Sequence, residues 1–206
     1  MGTSGHFAES MNQFFLMREY VRQILHEPGS HGFDHTLRVM ALCEYIGKKE
    51  QADMDILIPA AIFHDIARPL ERSTGVLHEV KGAEMAAEFL NEISYGSERI
   101  SRILHAIRAH RFSTTLLPET LEAKILSDAD KLDAMGAVGI ARAFMSAGER
   151  SGDIQDGLDH IHGKLLKLPD RMYTRTGREM AKRRHALLAA FVQALEEERQ
   201  MERDPV

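Results

Sequence analysis

The sequence is poor in cysteine, in proline and in long apolar runs. Among its 206 residues are one cysteine, six prolines and no tryptophan. A lone Cys43 excludes an intramolecular disulfide and a cysteine-rich zinc site, and it is typical of reducing compartments. No apolar run approaches the roughly 18 residues that span a membrane, and residues 1–6 lack the basic and apolar regions of a secretion signal. We therefore expect a cytoplasmic protein without a membrane partner.

An excess of positive charge is also missing. The 26 Lys and Arg residues against 31 Asp and Glu give a formal net charge of −5. This balance argues against broad electrostatic capture of nucleic acid as the default interpretation. With 44% hydrophobic and 28% charged residues, the composition is typical of a globular chain. The length, and the absence of any long linker, predict one domain over residues 1–206.

Helical periodicity is present almost everywhere. Apolar residues recur at spacings of three and four, as in Phe14, Met17, Val21 and Ile24, whereas strict alternation is rare. The pattern predicts an all-α fold of about eight or nine helices. The predicted helices are 9–26, 34–50, 53–67, 80–94, 97–111, 119–134, 136–147, 154–167 and 177–202.

Eleven histidines stand out beside the single cysteine, because imidazole supplies neutral metal ligands near pH 7. The apolar stretch 56–63 predicts a buried helix, yet it runs directly into His64 and Asp65. Burying an unpaired carboxylate costs several kcal/mol, so Asp65 needs a cation or a set of hydrogen-bond donors. A buried histidine that only forms hydrogen bonds is the simpler alternative for His64.

Two further segments carry polar groups on apolar helix faces. Asp128, Asp130 and Asp133 interleave with apolar residues, so at least one should be drawn inward. Helix capping by Asp128 and an ion pair of Asp133 with an arginine form the alternative. In the third segment Asp34 is a candidate helix cap, and His35 lies one turn before an apolar stripe, with a surface position as its alternative.

Taken together, these segments supply two imidazoles and two carboxylates. Such a mixed nitrogen and oxygen set suits Mn²⁺, Fe²⁺, Co²⁺, Ni²⁺ or Mg²⁺, with open positions for water and substrate. The pattern resembles the HD-domain metal-dependent phosphohydrolases, whose ligand motif is H…HD…D. The matching strings are residues 31–39 (HGFDHTLRV), 61–66 (AIFHDI) and 127–142 (SDADKLDAMGAVGIAR).

The last string is similar to a branch of small stand-alone HD hydrolases that includes bacterial nucleotide pyrophosphohydrolases. The resemblance covers about residues 9–147 and leaves 148–206 as a helical extension; Gly32 departs from the Asp common in that branch. It implies a single HD helical bundle that hydrolyses a phosphoester or phosphoanhydride of a small substrate, with a nucleotide as the expected class, through metal-activated water. The implied metal ligands are His35, His64, Asp65 and Asp130.

Several other residues are candidates for the same site. Some HD enzymes hold a second metal with extra histidines, so His78 and His110 are candidates for a second metal or for substrate, although one metal is the leading interpretation. Arg68 lies one turn beyond His64 on the same predicted helix, before Pro69. With Lys131 it is expected to stabilise developing charge, and Glu79 is a candidate general acid or base.

The remaining cations are ranked lower. Arg38, Lys81 and Arg142 are candidate phosphate ligands. A surface role is the alternative for Lys81, and a pairing with Asp133 is the alternative for Arg142. The basic run 171–185 favours a solvated face, a pairing with Glu196–Glu198, or a loop over phosphate. Two other function classes stay open: a catalytically silent metal- and nucleotide-binding regulatory module, and a nucleic-acid-binding protein acting through the 171–185 run. A homodimer is compatible with the sequence.

Overall fold

The computed structural model describes residues 3–203, and the side chains of residues 12–200. Residues 1–2, at the start of the segment inspected for a secretion signal, and 204–206 lie outside it. The described chain is helical and contains no strand, which confirms the all-α class. The α-helices are α1 Thr3–Ile24, α2 Phe33–Glu50, α3 Met54–Phe63, α4 Arg68–Thr74, α5 His78–Glu92, α6 Ser97–Ala109, α7 Leu121–Asp133, α8 Gly136–Glu149, α9 Ile154–Gly163 and α10 Arg175–Arg203, with a 3₁₀ helix at Leu165–Arg171.

The predicted helix 53–67 is shorter in the structure, and a separate helix that was not predicted follows it. α3 ends at Phe63, a run of turns follows, and α4 begins at Arg68. Pro69 lies in the first turn of α4, where a missing N–H costs nothing, so this proline starts a helix instead of ending one. The assignment of Arg68 to the helix of His64 was therefore wrong.

The chain divides into two compact units, one reaching to Asp130 and the other beginning at Lys131. In the first unit, α3 is the central helix and contacts α1, α2, α5 and α6. Each residue from Ile56 to Phe63 is buried, as expected for a stretch that is apolar on all sides. The Tyr95 hydroxyl donates to the Asp55 carbonyl at 2.6 Å, which fixes the start of α3.

In the second unit, α8 packs against α9 and α10, and the 3₁₀ helix contacts the same two helices. The rings of Phe144 and Phe191 lie 5.9 Å apart between α8 and α10. Arg142 donates to Asp133 at 2.9 Å, which confirms that Asp133 pairs with an arginine. Both units are therefore held by ordinary helix packing.

The basic run 171–185 belongs to this second unit. Arg175 is largely exposed and pairs with Glu179 at 3.1 Å. Arg178 donates to the Tyr173 carbonyl, and Arg184 donates to the Leu132 carbonyl. Part of the run is thus used in local contacts. Among the acids proposed to neutralise it, Glu196 pairs with His162 at 2.7 Å.

Cys43 is a free, buried cysteine. Among the described residues, no helix combines the length and apolarity needed to cross a bilayer.

Gly139 lies where the backbone of α8 comes close to the carbonyl group of Ala134 in the second unit. A Cβ atom added there would lie 2.3 Å from the carbonyl carbon and oxygen of Ala134. Gly139→Ala should therefore lower the free energy of unfolding by roughly 1–3 kcal/mol, the usual cost of overpacking. Urea denaturation of the purified variant measures this change.

Gly148 provides the matched control on the same helix. An added Cβ there has no atom within 4 Å. Gly148→Ala should be neutral or stabilising by up to about 1 kcal/mol, because alanine is the better helix former. Equal denaturation midpoints for the two variants would contradict this account of α8.

Candidate metal centre

The structure brings the four predicted ligands together in the first unit. They come from the first turn of α2, the turn after α3, and α7. The Nε2 atom of His35 lies 3.2 Å from His64 Nε2, 3.5 Å from Asp65 Oδ2 and 3.4 Å from Asp130 Oδ1. His64 Nε2 lies 3.9 Å from Asp65 Oδ2. Four donor atoms thus converge on one small volume.

Helix ends orient these side chains. His64 directly follows the buried residues of α3, so the chain carries its ring into the core, where it is fully buried. The His64 Nδ1 atom lies 2.7 Å from the Ala61 carbonyl and must donate to it, because a carbonyl only accepts. The Nε2 atom then carries the free lone pair that a metal ligand needs.

The electrostatics of the cluster favour a cation. Burial lowers the pKa of His64 to about 4, so its imidazole is neutral at pH 7. Burial also opposes ionisation of Asp65, but Arg68 and the nearby histidines outweigh it and hold the pKa of Asp65 well below its usual value. For Asp130, the hydrogen bond and charge of His35 likewise outweigh burial and lower the pKa. A neutral imidazole at His64 beside two ionised carboxylates matches the protonation that a divalent metal requires of its ligands.

A second group of donors lies on the other side of Asp65. Its Oδ1 atom is 3.3 Å from His78 Nε2 and 3.6 Å from His110 Nε2. His110 Nδ1 donates to the Ile107 carbonyl at 2.6 Å, so its Nε2 also carries a free lone pair. The two oxygens of Asp65 therefore face two histidine pairs.

Several buried polar atoms around Asp65 have no hydrogen-bond partner among the described residues. They are Asp65 Oδ2, His78 Nε2 and His110 Nε2. Buried polar atoms are nearly always satisfied, so orphaned acceptors gathered in one place indicate a missing cation or donor. The residues present fit a metal ion, since His35, His64 and Asp130 form one group of close donor atoms and Asp65, His78 and His110 another.

Arg68 joins the cluster from the first residue of α4. Its Nε donates to Asp65 Oδ1 at 2.9 Å, and its Nη1 donates to Glu71 Oε2 at 2.9 Å. Glu79 is buried at the start of α5, with its Oε2 atom 3.3 Å from His78 Nδ1. The predictions for Arg68 and Glu79 thus fall on residues that lie next to the ligands.

The other predicted cations lie in different surroundings. Arg38 pairs with Asp34 at 2.6 Å, and Lys81 pairs with Glu84 at 2.9 Å. α2 begins at Phe33 after Gly32, with no capping side-chain bond, so the proposed cap by Asp34 was wrong. Lys131 and Arg142 belong to the second unit, where the Lys131 ammonium lies 4.9 Å from the Tyr173 ring centre.

Arg111 was missed by the sequence analysis. Its Nη1 atom donates to Glu71 Oε1 at 3.0 Å and to Glu79 Oε2 at 3.2 Å. A single arginine in a loop has no pattern that distinguishes it, and its one sequence indication is its position directly after His110. The contact depends on how α4, α5 and α6 pack.

The pKa of His64 predicts how stability depends on pH in the metal-free protein. The unfolded chain takes up this proton near pH 6.5, whereas the folded chain does so only near 4. Between these values the unfolded state binds more protons, so the free energy of unfolding falls as the pH is lowered. We expect a loss of up to about 3 kcal/mol from pH 7 to pH 4, at about 1.4 kcal/mol per pKa unit.

Denaturation of the chelator-treated protein across this pH range measures the loss. His64→Asn removes one titrating group and should make the profile between pH 6.5 and 4 shallower than that of the wild type, although the pKa of His78 is also lowered by burial. A wild-type profile that is already flat in this window would show that His64 is not held neutral by burial.

Comparisons with known proteins agree with this geometry. The model of the HD domain family matches residues 32–135. The Bacillus subtilis protein YpgQ is 37% identical over 199 residues, which cover 92% of this chain and 95% of YpgQ. A crystal structure of YpgQ in complex with ADP superposes with a TM-score of 0.75 at 36% identity, covering 92% of this chain and 96% of that one.

A structure of an HD-superfamily hydrolase from an uncultured Thermotogales bacterium has a TM-score of 0.68 at 34% identity, covering 88% of this chain and 90% of that one. An HD-superfamily hydrolase from Bacillus thuringiensis has a TM-score of 0.73 at 27% identity and covers 93% and 98%. The matched family segment contains the four ligands predicted from the H…HD…D motif. The chain belongs to the HD-domain family of metal-dependent phosphohydrolases.

Proposed function

We propose that this chain hydrolyses a phosphoester or phosphoanhydride bond of a small phosphorylated substrate, with a nucleotide as the preferred class. The observation that carries the proposal is the convergence of four donor atoms: His35 Nε2 lies 3.2–3.5 Å from His64 Nε2, Asp65 Oδ2 and Asp130 Oδ1. Neutral imidazoles and ionised carboxylates in this arrangement are suited to hold one divalent ion with positions left for water and substrate.

The four residues are the proposed ligands of that ion. When bound, a divalent ion lowers the pKa of a coordinated water and neutralises charge on phosphoryl oxygens. The donor set accommodates Mn²⁺, Fe²⁺, Co²⁺, Ni²⁺ or Mg²⁺. The protein's own contribution is to keep His64 neutral by burial and to hold both carboxylates in place.

Arg68 is the proposed phosphate-stabilising cation nearest the ligands. Asp65 and Glu71 hold its guanidinium through bonds of 2.9 Å each, so the charge is already oriented before substrate arrives. Phosphoryl transfer depends mainly on such positioning and on positive charge. A guanidinium fixed by two carboxylates meets that requirement at little entropic cost.

His78 and His110 are proposed to form a second subsite on the Oδ1 side of Asp65. Their bare Nε2 atoms suit either a second cation or a hydrogen-bond donor of the substrate, such as a hydroxyl or water. Arg68 already donates to the same oxygen, so one metal ion remains the central proposal. Glu79 is the candidate general acid or base, and its 3.3 Å separation from His78 Nδ1 would route a proton through that imidazole.

Lys131 is the proposed second cation that stabilises the negative charge developing on the phosphoryl group. Arg38, Lys81 and Arg142 are kept as proposed phosphate contacts that would have to exchange their present carboxylate partners for the substrate. Single alanine substitutions distinguish the roles of these four residues, because loss of a phosphate contact raises KM whereas loss of transition-state stabilisation lowers kcat.

The nucleotide preference is supported by similarity to YpgQ. That protein was crystallised with ADP, and its 36% identity with this chain extends over 92% of the sequence. A diphosphate nucleotide offers both a phosphoanhydride and a phosphoester bond. We therefore propose nucleoside di- and triphosphates as the first substrates to assay, and the identity of the released product as the readout of bond type.

The central proposal predicts the behaviour of ligand variants. His64→Ala should lose its bound divalent metal and lower hydrolysis by at least about 100-fold, since even residues behind the ligands contribute 10–100-fold. Asp130→Asn is the second variant, because the Asp130 side chain is 23% exposed and its substitution disturbs the core less. Elemental analysis and a nucleotide panel with several metals measure both effects.

His162→Ala is the matched control, because His162 is half exposed and pairs with Glu196 in the second unit. It should keep both metal content and turnover. Protein that binds no divalent metal after reconstitution would contradict the proposal. Metal-loaded protein that binds nucleotides but releases no phosphate, pyrophosphate or nucleoside would favour the catalytically silent module.

A further inference from the structure

An ion-pair layer lies on the Nδ1 side of His78, and Arg68 links it to Asp65. We call it the outer layer, and it consists of Glu71, Glu79, Arg68 and Arg111. Glu71 is its centre: Oε2 accepts from Arg68 at 2.9 Å and from His78 Nδ1 at 3.0 Å, while Oε1 accepts from Arg111 at 3.0 Å. The layer therefore connects Arg111 to the metal centre through one carboxylate and one imidazole.

The two carboxylates of the outer layer need their arginines. Glu79 is only 4% exposed, and the Glu71 side chain is 21% exposed. Both approach the same atom, His78 Nδ1, at 3.0 and 3.3 Å. Two carboxylates so close together repel each other, and Arg111 offsets this repulsion because it bonds to both.

The orientation of His78 follows from these contacts. With carboxylate oxygens on its Nδ1 side, Nδ1 must carry a hydrogen, and Nε2 then presents a lone pair toward Asp65 Oδ1, 3.3 Å away. Carboxylates that bond to the far nitrogen of a metal-site histidine fix both its tautomer and its ring plane. Arg111 is the residue that keeps both carboxylates in reach of Nδ1.

A metal site formed by Glu71, His78 and Glu79 is less consistent with the contacts. Glu71, His78 and Glu79 offer donor atoms within 4.8 Å of one another, a spacing that a metal ion accepts. Arg68 already bonds to Oε2 of Glu71, and Arg111 bonds to Oε1 of Glu71 and to Glu79. The positive charge that this group requires is thus supplied by the protein.

We propose that Arg111 is a positioning residue: by bonding to Glu71 and Glu79 it holds both carboxylates against His78 Nδ1, and so keeps His78 Nε2 directed at the metal centre. The proposal rests on the hydrolytic function proposed above, in which His78 serves the reaction. Arg111 itself touches no proposed ligand in this scheme, and its effect passes through the outer layer.

The test compares Arg111→Gln with Arg111→Lys in the full-length protein. Glutamine removes the charge, whereas lysine keeps it and can still bond to one carboxylate. Arg108→Ala is the matched control, since Arg108 is an exposed arginine three residues earlier, on α6. Long-range ¹H–¹⁵N NMR spectra of the metal-free proteins at one fixed pH report which His78 nitrogen carries the hydrogen.

We expect the wild type and Arg108→Ala to give a single His78 tautomer with hydrogen on Nδ1. Arg111→Gln should give a mixture or an exchange-broadened signal, and Arg111→Lys should recover most of the wild-type spectrum. In the metal-loaded enzyme, kcat of Arg111→Gln should fall roughly 10- to 100-fold, the usual effect of residues behind a ligand. KM should change far less, because Arg111 does not contact substrate.

A His78 spectrum that is unchanged in Arg111→Gln would overturn the proposal, as would a changed spectrum with unchanged kcat. If Arg111→Gln does not fold, Arg111→Met, which keeps the apolar stem but removes the guanidinium, is judged by the same two readouts. A wild-type protein that hydrolyses no substrate would instead refute the proposed function, and the metal-free NMR comparison would still decide whether Arg111 positions His78.

Discussion

The ionised carboxylate of Asp65 is buried, with 1% of its side chain exposed, and the site is arranged around the need to compensate its charge. One oxygen accepts from Arg68, while the other, Oδ2, has no hydrogen-bond partner among the described residues. An uncompensated carboxylate in the core costs several kcal/mol. His35, His64 and Asp130 provide further ligand atoms close to this carboxylate. A divalent ion bound by them would compensate the buried charge of Asp65.

The fold meets this constraint with helix ends. α3 is buried from Ile56 to its last residue, Phe63, so the residues directly after it, His64 and Asp65, are delivered into the core. α2 contributes His35 from its first turn, and α6 contributes His110 from the position where the helix ends. Helix ends leave backbone carbonyls free, and those of Ala61 and Ile107 accept from the Nδ1 atoms of His64 and His110. The same geometry that ends these helices therefore sets the tautomers of their histidines.

Much of this arrangement could be predicted from the sequence. Helical periodicity predicted the all-α class, and the conflict between apolar helix faces and polar residues singled out His35, His64 and Asp65. The resemblance to the HD-domain hydrolases then implied the ligand set. Two local features were not predicted. One is α4, which has Pro69 in its first turn, and the other is the 3₁₀ helix at Leu165–Arg171 after α9. A proline ends or begins a helix with the same residue pattern, so the flanking packing decides between the two.

Arg68 and Glu79 were predicted as site residues, but the ion pairs of the outer layer lay beyond prediction for a different reason. Glu71, Glu79 and Arg111 come from three different helix boundaries, and each looks in the sequence like an ordinary surface charge. Only the packing of α4 against α5 and of α5 against α6 brings them to one histidine. Residues that act through a ligand follow no fixed spacing, whereas ligands must lie on faces that reach the core.

The most direct test of the metal centre is anomalous diffraction from crystals of the protein grown with Mn²⁺. The account predicts one strong peak within coordination distance of His35 Nε2, His64 Nε2, Asp65 Oδ2 and Asp130 Oδ1. A weaker second peak beside His78 and His110 would be compatible with it. Crystals with no peak at the four ligands, or with manganese bound only elsewhere, would contradict it.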